Sequence, residues 1–353
     1  MEFGINFFPT HEPRDKDAAS YYRECMTLVG LCEALGYRHV RSVEHYFEPY
    51  GGYLPSPIVF LTAAARHTAK VRLVTGAVLP VFNHPLKLAG ELAMLDGFSE
   101  GRLEIGFARA FLPHEFERFG IPLDESRARF EEGMAQVALL LSEENVSAEG
   151  RFHRFRNVTS LPRPTQRPHP PFWIAAFSTK ESFEAAGRNG HGIMAIPSAG
   201  PMLRELIGTY REAWRSAGHP GQGRVMLTHN VYCGESELEV VETAKRPFDR
   251  HLEALIAAAR GWGEGARSRD YPGYERMLDG LRDNDFDTMR ARSLAWCGTP
   301  EQICDMIATA YRDIPGGVDS VSAQVNFHDL PMEKAADSMR RFAAQVMPRF
   351  RGG

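Results

Sequence analysis

The sequence predicts a (β/α)8 barrel, the α/β architecture in which eight parallel strands alternate with helices. Three observations predict it. Strand-like and helix-like stretches alternate from one end of the chain to the other. At 353 residues the chain is long for one ordinary domain. It is ordinary for such a barrel with insertions, which needs about 250 residues and can exceed about 400. A doubly wound open sheet is the competing fold, and no G-x-G-x-x-G follows the first strand.

The elements follow in order. Residues 2–8 read as a strand, and residues 17–35 carry Leu28, Leu31, Cys32 and Leu35 at helical spacing. His39 to Val43 is a second strand, and residues 57–68 are a helix with Pro57 in its first turn. The β-rich run Arg72 to Val78 leads to a helix over 85–98 with Leu88, Leu92 and Leu95 in register. Leu103 to Phe107 is a fourth strand and 124–142 its helix. The stretch 145–171 holds Pro162, Pro164, Pro168, Pro170 and Pro171, and is expected to be an irregular insertion loop.

Phe172 to Ala176, Ile193 to Ile196 and Val225 to Tyr232 are strands five to seven, with helices over 180–188 and 201–217. Ser320 to Val325 is the eighth, closed by a helix over 333–347. The polar, Gly-, Arg- and Asp-rich segment 260–293 reads equally as a mobile lid over the active site or as a disordered surface excursion. Residues 1–353 are thus expected to form one barrel domain.

Composition narrows the function. Apolar residues make up 43% and charged residues 24%, so a well-buried core is expected. The net charge is −4 without a long basic block, which argues against nucleic acid or an anionic membrane as main partner. No uninterrupted apolar run approaches the length of about 18 residues that suggests a membrane span. No signal peptide is visible at the N-terminus, and five cysteines without close pairing argue for a reducing cytoplasm. Cys25 and Cys32 lie seven apart in a helical segment and read as one buried face.

In a barrel the C-terminal ends of the strands form the catalytic face. Glu44 and His45 stand there, where the second strand runs into the aromatic loop from Tyr46 to Tyr53. An acid and an imidazole at that rim suit proton handling. A helix-capping Glu and a surface His fit the same spacing.

Further motifs come in a specific order. Glu44-His45-Tyr46-Phe47 follows strand two, and Val78-Leu79-Pro80-Val81-Phe82-Asn83-His84-Pro85 follows strand three. The run from Glu91 to Leu103 leads into strand four, which ends Gly106-Phe107-Ala108-Arg109. Ser126-Arg127 comes next, followed by Trp173-Ile174-Ala175-Ala176-Phe177-Ser178. Gly298-Thr299-Pro300-Glu301-Gln302 and Val346-Met347-Pro348 stand near the end. Together these resemble the bacterial luciferase-like, flavin-dependent monooxygenase family, and within it the alkanal-monooxygenase-like branch. The resemblance covers nearly the whole chain.

The resemblance implies a barrel that takes FMN in reduced form from a separate flavin reductase. It implies a monooxygenase that uses O2, through a flavin peroxide, to insert one oxygen atom into a small or medium organic substrate. It also implies pairing of barrels through helices on one side, hence a homodimer. His45 matches the family's catalytic histidine, with Glu44 as a buttress, and imidazole chemistry near neutrality suits that role. Thr75, Gly76, Ala77, Ala108, Arg109, Arg127, Phe177, Ser178 and Thr179 fall at cofactor positions.

Arg109 suits bidentate oxyanion binding. Ser178, Thr179 and the helix that begins after them could add to a phosphate site. Thr75-Gly76-Ala77 is small enough for backbone to approach a flat ring, and the family often has a cis peptide there. Simpler readings coexist. Ser178-Thr179 could be an N-cap, Arg127 part of an ion-pair face with Glu125, Arg129 and Glu131, and Gly76 a bulge in a core strand. His84, held extended by Pro85, could do no more than close a turn.

Two departures stand out. Tyr46 replaces a second histidine of the luciferase catalytic chain, and Ala108 replaces its reactive cysteine. Light emission and a long-chain aldehyde substrate are therefore not expected. Three rivals remain. A metal-dependent barrel hydrolase lacks its H-x-H at the end of strand one and any H-E-x-x-H. A deazaflavin-dependent oxidoreductase would transfer hydride without oxygenation. A non-enzymatic flavin-binding subunit is disfavoured by His45.

Overall fold

Eight parallel strands close on themselves, and helices cover their outer faces. The computed structural model describes residues 1–196 and 200–350, the side chain of Met277 excepted. The first half contains β1 (Glu2–Phe7), α1 (Ala18–Leu35), β2 (His39–Ser42), α2 (Pro57–His67), β3 (Arg72–Thr75), α3 (Pro85–Phe98), β4 (Leu103–Phe107), α4 (Pro113–Phe119) and α5 (Ser126–Ser142). Next come β5 (Val146–Glu149), β6 (Arg154–Val158), β7 (Phe172–Ala176), α6 (Lys180–Arg188), β8 (Gly192–Ala195), α7 (Gly200–Ser216) and β9 (Val225–Cys233). The last part holds α8 (Glu237–Ala258), α9 (Arg260–Gly263), α10 (Met277–Arg282), α11 (Phe286–Ala291), β10 (Trp296–Gly298), α12 (Pro300–Tyr311), β11 (Ser320–Gln324) and α13 (Met332–Arg341).

The barrel order is β1-β2-β3-β4-β7-β8-β9-β11, with β11 returning to β1 and β9 joined to β8. Every pairing in this ring is parallel. Apolar strand positions such as Phe3, Ile5 and Phe7 of β1 and Leu103, Ile105 and Phe107 of β4 are buried in the main core, which is why the alternation of elements was legible. Local signals start the helices. Asp17 accepts from Ser20 N at 2.9 Å at the head of α1, and Ser56 accepts from Val59 N at 3.3 Å at the head of α2. His84 does the same for α3, its Nδ1 accepting from Leu86 N at 3.2 Å, ahead of Pro85 in the first turn.

Several expectations need correction. The Pro-rich stretch is not irregular throughout, because β5 and β6 form an antiparallel hairpin within it. Its turn is anchored by Glu132 of α5, whose carboxylate accepts from the N–H groups of Arg151, Phe152 and His153. Buried Val146 and Phe155 supply the apolar side, too few to stand out among charged neighbours. The expected closing helix over 333–347 is α-helical only to Arg341, then widens into a π turn, Phe342–Val346, and tightens into a 3-10 turn, Met347–Arg349. β10 is an extra strand that pairs with the far end of β9, Trp296 opposite Val231.

Segment 260–293 is neither bare loop nor excursion. It contains α9, α10 and α11, and it buries Trp262, Tyr271 and Leu278 against Tyr50, Leu79, Val81, Ala110, Leu112 and Phe116. Those partners sit on the segments that follow β2, β3 and β4, so 260–293 covers the C-terminal end of the barrel.

Candidate active site at the C-terminal rim

His45 lies three residues past the end of β2 and is 8% exposed. Its ring packs against Phe8, Tyr50 and Phe111, with centroids 5.3, 5.3 and 6.1 Å away. The loop after it folds back tightly. Gly51 has φ +79°, and a β-carbon there would lie 2.5 Å from His45 Cβ, so only glycine fits.

The carboxyl group that meets the imidazole is not the adjacent Glu44. It is Glu115, fully buried in the first turn of α4. Glu115 Oε1 lies 3.1 Å from His45 Nδ1 and accepts from Tyr46 N at 2.9 Å. An ionised Glu115 can only accept, which would put the ring proton on Nδ1; Nε2 has no hydrogen-bond partner among the described residues. Glu115 Oε2 is buried and likewise unpartnered. The sequence does hold a signal for Glu115, a Pro at the first helical position followed two residues later by a Glu.

Glu44 serves a different purpose. Its Oε1 accepts from the Tyr46 hydroxyl at 2.5 Å and from Asn83 Nδ2 at 2.9 Å, and its Oε2 accepts from Leu79 N at 3.1 Å. These bonds tie the end of β2 to the loop after β3. Burial pushes the Glu44 carboxyl up to about 8, outweighing the three donated hydrogen bonds, with Glu115 raising it further. Tyr46, which stands in place of a second histidine, is thus a donor to Glu44.

At the end of β3, Thr75 is committed to the sheet. Its hydroxyl donates to Gly106 O at 3.0 Å and accepts from Gly106 N at 2.8 Å. The Gly76–Ala77 peptide is cis. Gly76 O accepts from Arg41 Nη2 at 2.9 Å, while Arg41 Nη1 donates to Thr228 Oγ1. The expected reason for glycine at 76 was close approach to a ring. The geometry gives another reason: a β-carbon there would fall 1.9 Å from Arg41 Nε.

Beyond β4, Ala108 N donates to Val78 O at 3.0 Å, which extends the β3–β4 pairing. Arg109 Nη1 donates to Asp270 O at 3.0 Å, and its guanidinium stands 4.8 Å from the Tyr271 ring centroid. The Asp270 carboxylate accepts from Ser126 Oγ at 3.3 Å and from Arg127 N at 2.9 Å, the first two residues of α5. Asp270 therefore joins Arg109 to Arg127. The ion-pair face foreseen around Arg127 forms without it, from Glu125 with Arg129 and Arg151.

Ser178 and Phe177 are exposed beyond β7, next to β4 in the barrel. Thr179 occupies the N-cap position of α6 without a side-chain cap bond. No described hydrogen bond joins Ser178 or Thr179 to Arg109 or Arg127. Among the described residues no group of three or more His, Cys, Asp or Glu is arranged to hold a metal ion. A flavin fits the residues present. Among the described residues Arg109 meets a carbonyl and an aromatic face but pairs with no carboxylate, and Arg41 carries a buried Nε without a hydrogen-bond partner beneath Gly76.

Comparison with known proteins agrees. A family model described as luciferase-like monooxygenase matches residues 1–316. The oxygenase component of flavin-dependent trigonelline monooxygenase from Acinetobacter baylyi is 33% identical over 343 residues, covering 93% of this chain and 90% of that one. Among solved structures, monooxygenase RslO1 from Streptomyces bottropensis superposes with a TM-score of 0.89 at 43% identity, covering 99% of this chain and all of that one. The oxygenating constituent of 3,6-diketocamphane monooxygenase from Pseudomonas putida, a type II Baeyer–Villiger enzyme in complex with FMN, has a TM-score of 0.81. At 22% identity, with 99% of this chain and 98% of that one covered, it shows the fold alone. The chain belongs to the luciferase-like monooxygenase family. It is a flavin-dependent enzyme of that family.

Proposed function

We propose that this protein is the FMN-dependent oxygenase of a two-component system, fed with reduced FMN by a separate flavin reductase. It transfers one oxygen atom from O2 to a small or medium organic substrate. The observation that carries this reading is the order of groups around the rim. Consecutive barrel strands β2, β3, β4 and β7 end in His45, Gly76–Ala77, Arg109 and Ser178. At about 4.8 Å per strand this row spans roughly 14 Å. It runs from a proton-handling group, through a small-residue shelf, to a cation and hydroxyls suited to phosphate.

In this reading Arg109, Arg127, Ser178 and Thr179 hold the phosphate, while Thr75, Gly76, Ala77, Ala108 and Phe177 line the ring. When bound, the reduced flavin supplies the electrons that activate O2. His45 holds or delivers one proton at Nε2, with Glu115 fixing its ring and Glu44 bracing the loop. Segment 260–293 excludes water as a mobile cover on a single barrel domain. The 33% identical relative named as a flavin-dependent oxygenase component supports flavin and a reductase partner. The FMN seen on a barrel of the same fold supports the choice of flavin.

Five buried, unpaired cysteines support a cytoplasmic setting, and no helix among the described residues is long and apolar enough to cross a membrane. Val59 on α2, Met94 and Phe98 on α3, and Leu161 are exposed at 72%, 49%, 48% and 74%, and these apolar groups support a homodimer through that side. The test supplies the protein with FMN, a flavin reductase, reduced nicotinamide and isotope-labelled O2 against a substrate panel. One labelled oxygen atom in the product is expected. Turnover with a reduced deazaflavin and none with FMN would install the hydride-transfer alternative.

A further inference from the structure

The side chains that face into the barrel near its C-terminal end are divided by chemistry. Register aligns Arg41 of β2, Asn6 of β1, Gln324 of β11 and Asn230 of β9 in one row. The row beneath is His39, Gly4, Ser322 and Thr228. The remaining wall is apolar, with Val74, Ala77, Trp173, Met194 and Met226 in one cluster. Arg41 is the cation of the polar part and is 8% exposed. Its Nη1 and Nη2 donate to Thr228 Oγ1 and Gly76 O, and its Nε has no hydrogen-bond partner among the described residues.

No carboxylate among the described residues forms an ion pair with Arg41. Removing a guanidinium from water without a counter-charge is a costly form of burial. Holding Gly76 O does not require the charge, because a neutral amide would donate equally well. The charge is therefore unexplained by the protein alone, and it sits directly beneath Gly76–Ala77. Burial alone pulls the guanidinium pKa down to about 10, with no neighbouring charge acting on it, which accords with this isolation.

We propose that Arg41 is a positioning residue that pins the Gly76–Ala77 shelf and supplies the counter-charge for an anionic ring lying on it. The inference rests on the FMN reading. An oxidised isoalloxazine is neutral. Two electrons and one proton leave it with one negative charge, and it reaches this protein already in that state, so no electron moves at Arg41. The protein then binds reduced FMN more tightly than oxidised FMN. By linkage the same preference raises the reduction potential of the bound flavin.

The experiment measures the affinities for oxidised and reduced FMN anaerobically, and the potential of bound flavin, for the wild type, Arg41→Gln and Arg41→Lys. The wild type is expected to favour reduced FMN by at least tenfold, which equals about 30 mV for a two-electron couple. Arg41→Gln, which keeps a donor for Gly76 O, loses that preference, and Arg41→Lys retains most of it. A wild type that binds both forms equally overturns the proposal whether or not the variants fold. So does an Arg41→Gln protein with an unchanged ratio. Binding of neither form by the wild type removes the FMN reading, and the inference with it.

Discussion

The space that a β-carbon on Gly76 would fill is occupied by the guanidinium of Arg41, whose Nε, Cγ and Cδ lie 1.9, 2.4 and 2.6 Å from that point. The two residues are therefore coupled, although 35 positions separate them. Gly76→Ala should cost about 1–3 kcal/mol by overpacking. Adding Arg41→Ala should return part of that loss, giving a double variant more stable than the sum of the single effects. Denaturant unfolding of the three variants checks this, and strict additivity would dissolve the coupling.

Glu44 sets a pH dependence. Its carboxyl is raised to about 8 from an ordinary 4.5, so the folded state holds a proton that the unfolded state releases. Its stabilising contribution is complete below about pH 4.5, declines as pH rises, and is gone above about pH 8. The slope from this one group is at most about 1.4 kcal/mol per pH unit. Glu44→Gln removes the titration. Unfolding curves at pH 5, 6, 7 and 8 should show the variant gaining on the wild type as pH rises. A constant difference would mean that Glu44 stays ionised in the fold.

How much of this could be read in advance depends on the range of each interaction. The barrel strands announced themselves through buried apolar positions such as Phe3, Ile5 and Phe7 of β1 and Leu103, Ile105 and Phe107 of β4, although β1, β2, β9 and β11 carry polar side chains on their inward faces. His45 was legible because it follows a strand directly. Glu115, its partner, lies 70 residues away, and nothing local says that α4 will turn toward β2. Asp270 reaches Arg127 across 143 residues from a segment whose composition resembles a loop. Arg41 does not stand out inside the strand His39 to Val43, and only the register and its bond to Gly76 O show that it points inward beneath Gly76. The β5–β6 hairpin escaped because two buried apolar side chains are too few to mark a period of two.

Asp270 occupies ground that the proposed function gives to a phosphate. Its carboxylate caps Arg127 N and takes the Ser126 hydroxyl, while its carbonyl holds Arg109. An incoming phosphate needs the same donors. Asp270→Ala should tighten FMN binding by about tenfold, the scale of one charge-assisted hydrogen bond. Riboflavin, which lacks the phosphate, should bind the variant and the wild type alike. Fluorescence titration with both flavins separates the cases. An equal gain for riboflavin would mean that the segment merely obstructs the pocket.

His45 and Glu115 should behave as one unit. His45→Ala removes the only imidazole at the end of β2 and should lower product formed per reduced FMN by about 10²–10⁴-fold, with FMN affinity unchanged. Glu115→Ala leaves His45 Nδ1 and Tyr46 N without their shared acceptor, so the ring loses its fixed tautomer and orientation. Its loss should be smaller, and Glu115→Gln, which keeps an accepting oxygen, should recover part of it. If Glu115 acts only through the imidazole, the double variant His45→Ala/Glu115→Ala should be no slower than His45→Ala alone. A double variant slower by the product of both factors would give Glu115 a role of its own. Its unpartnered Oε2 would then be the atom to pursue.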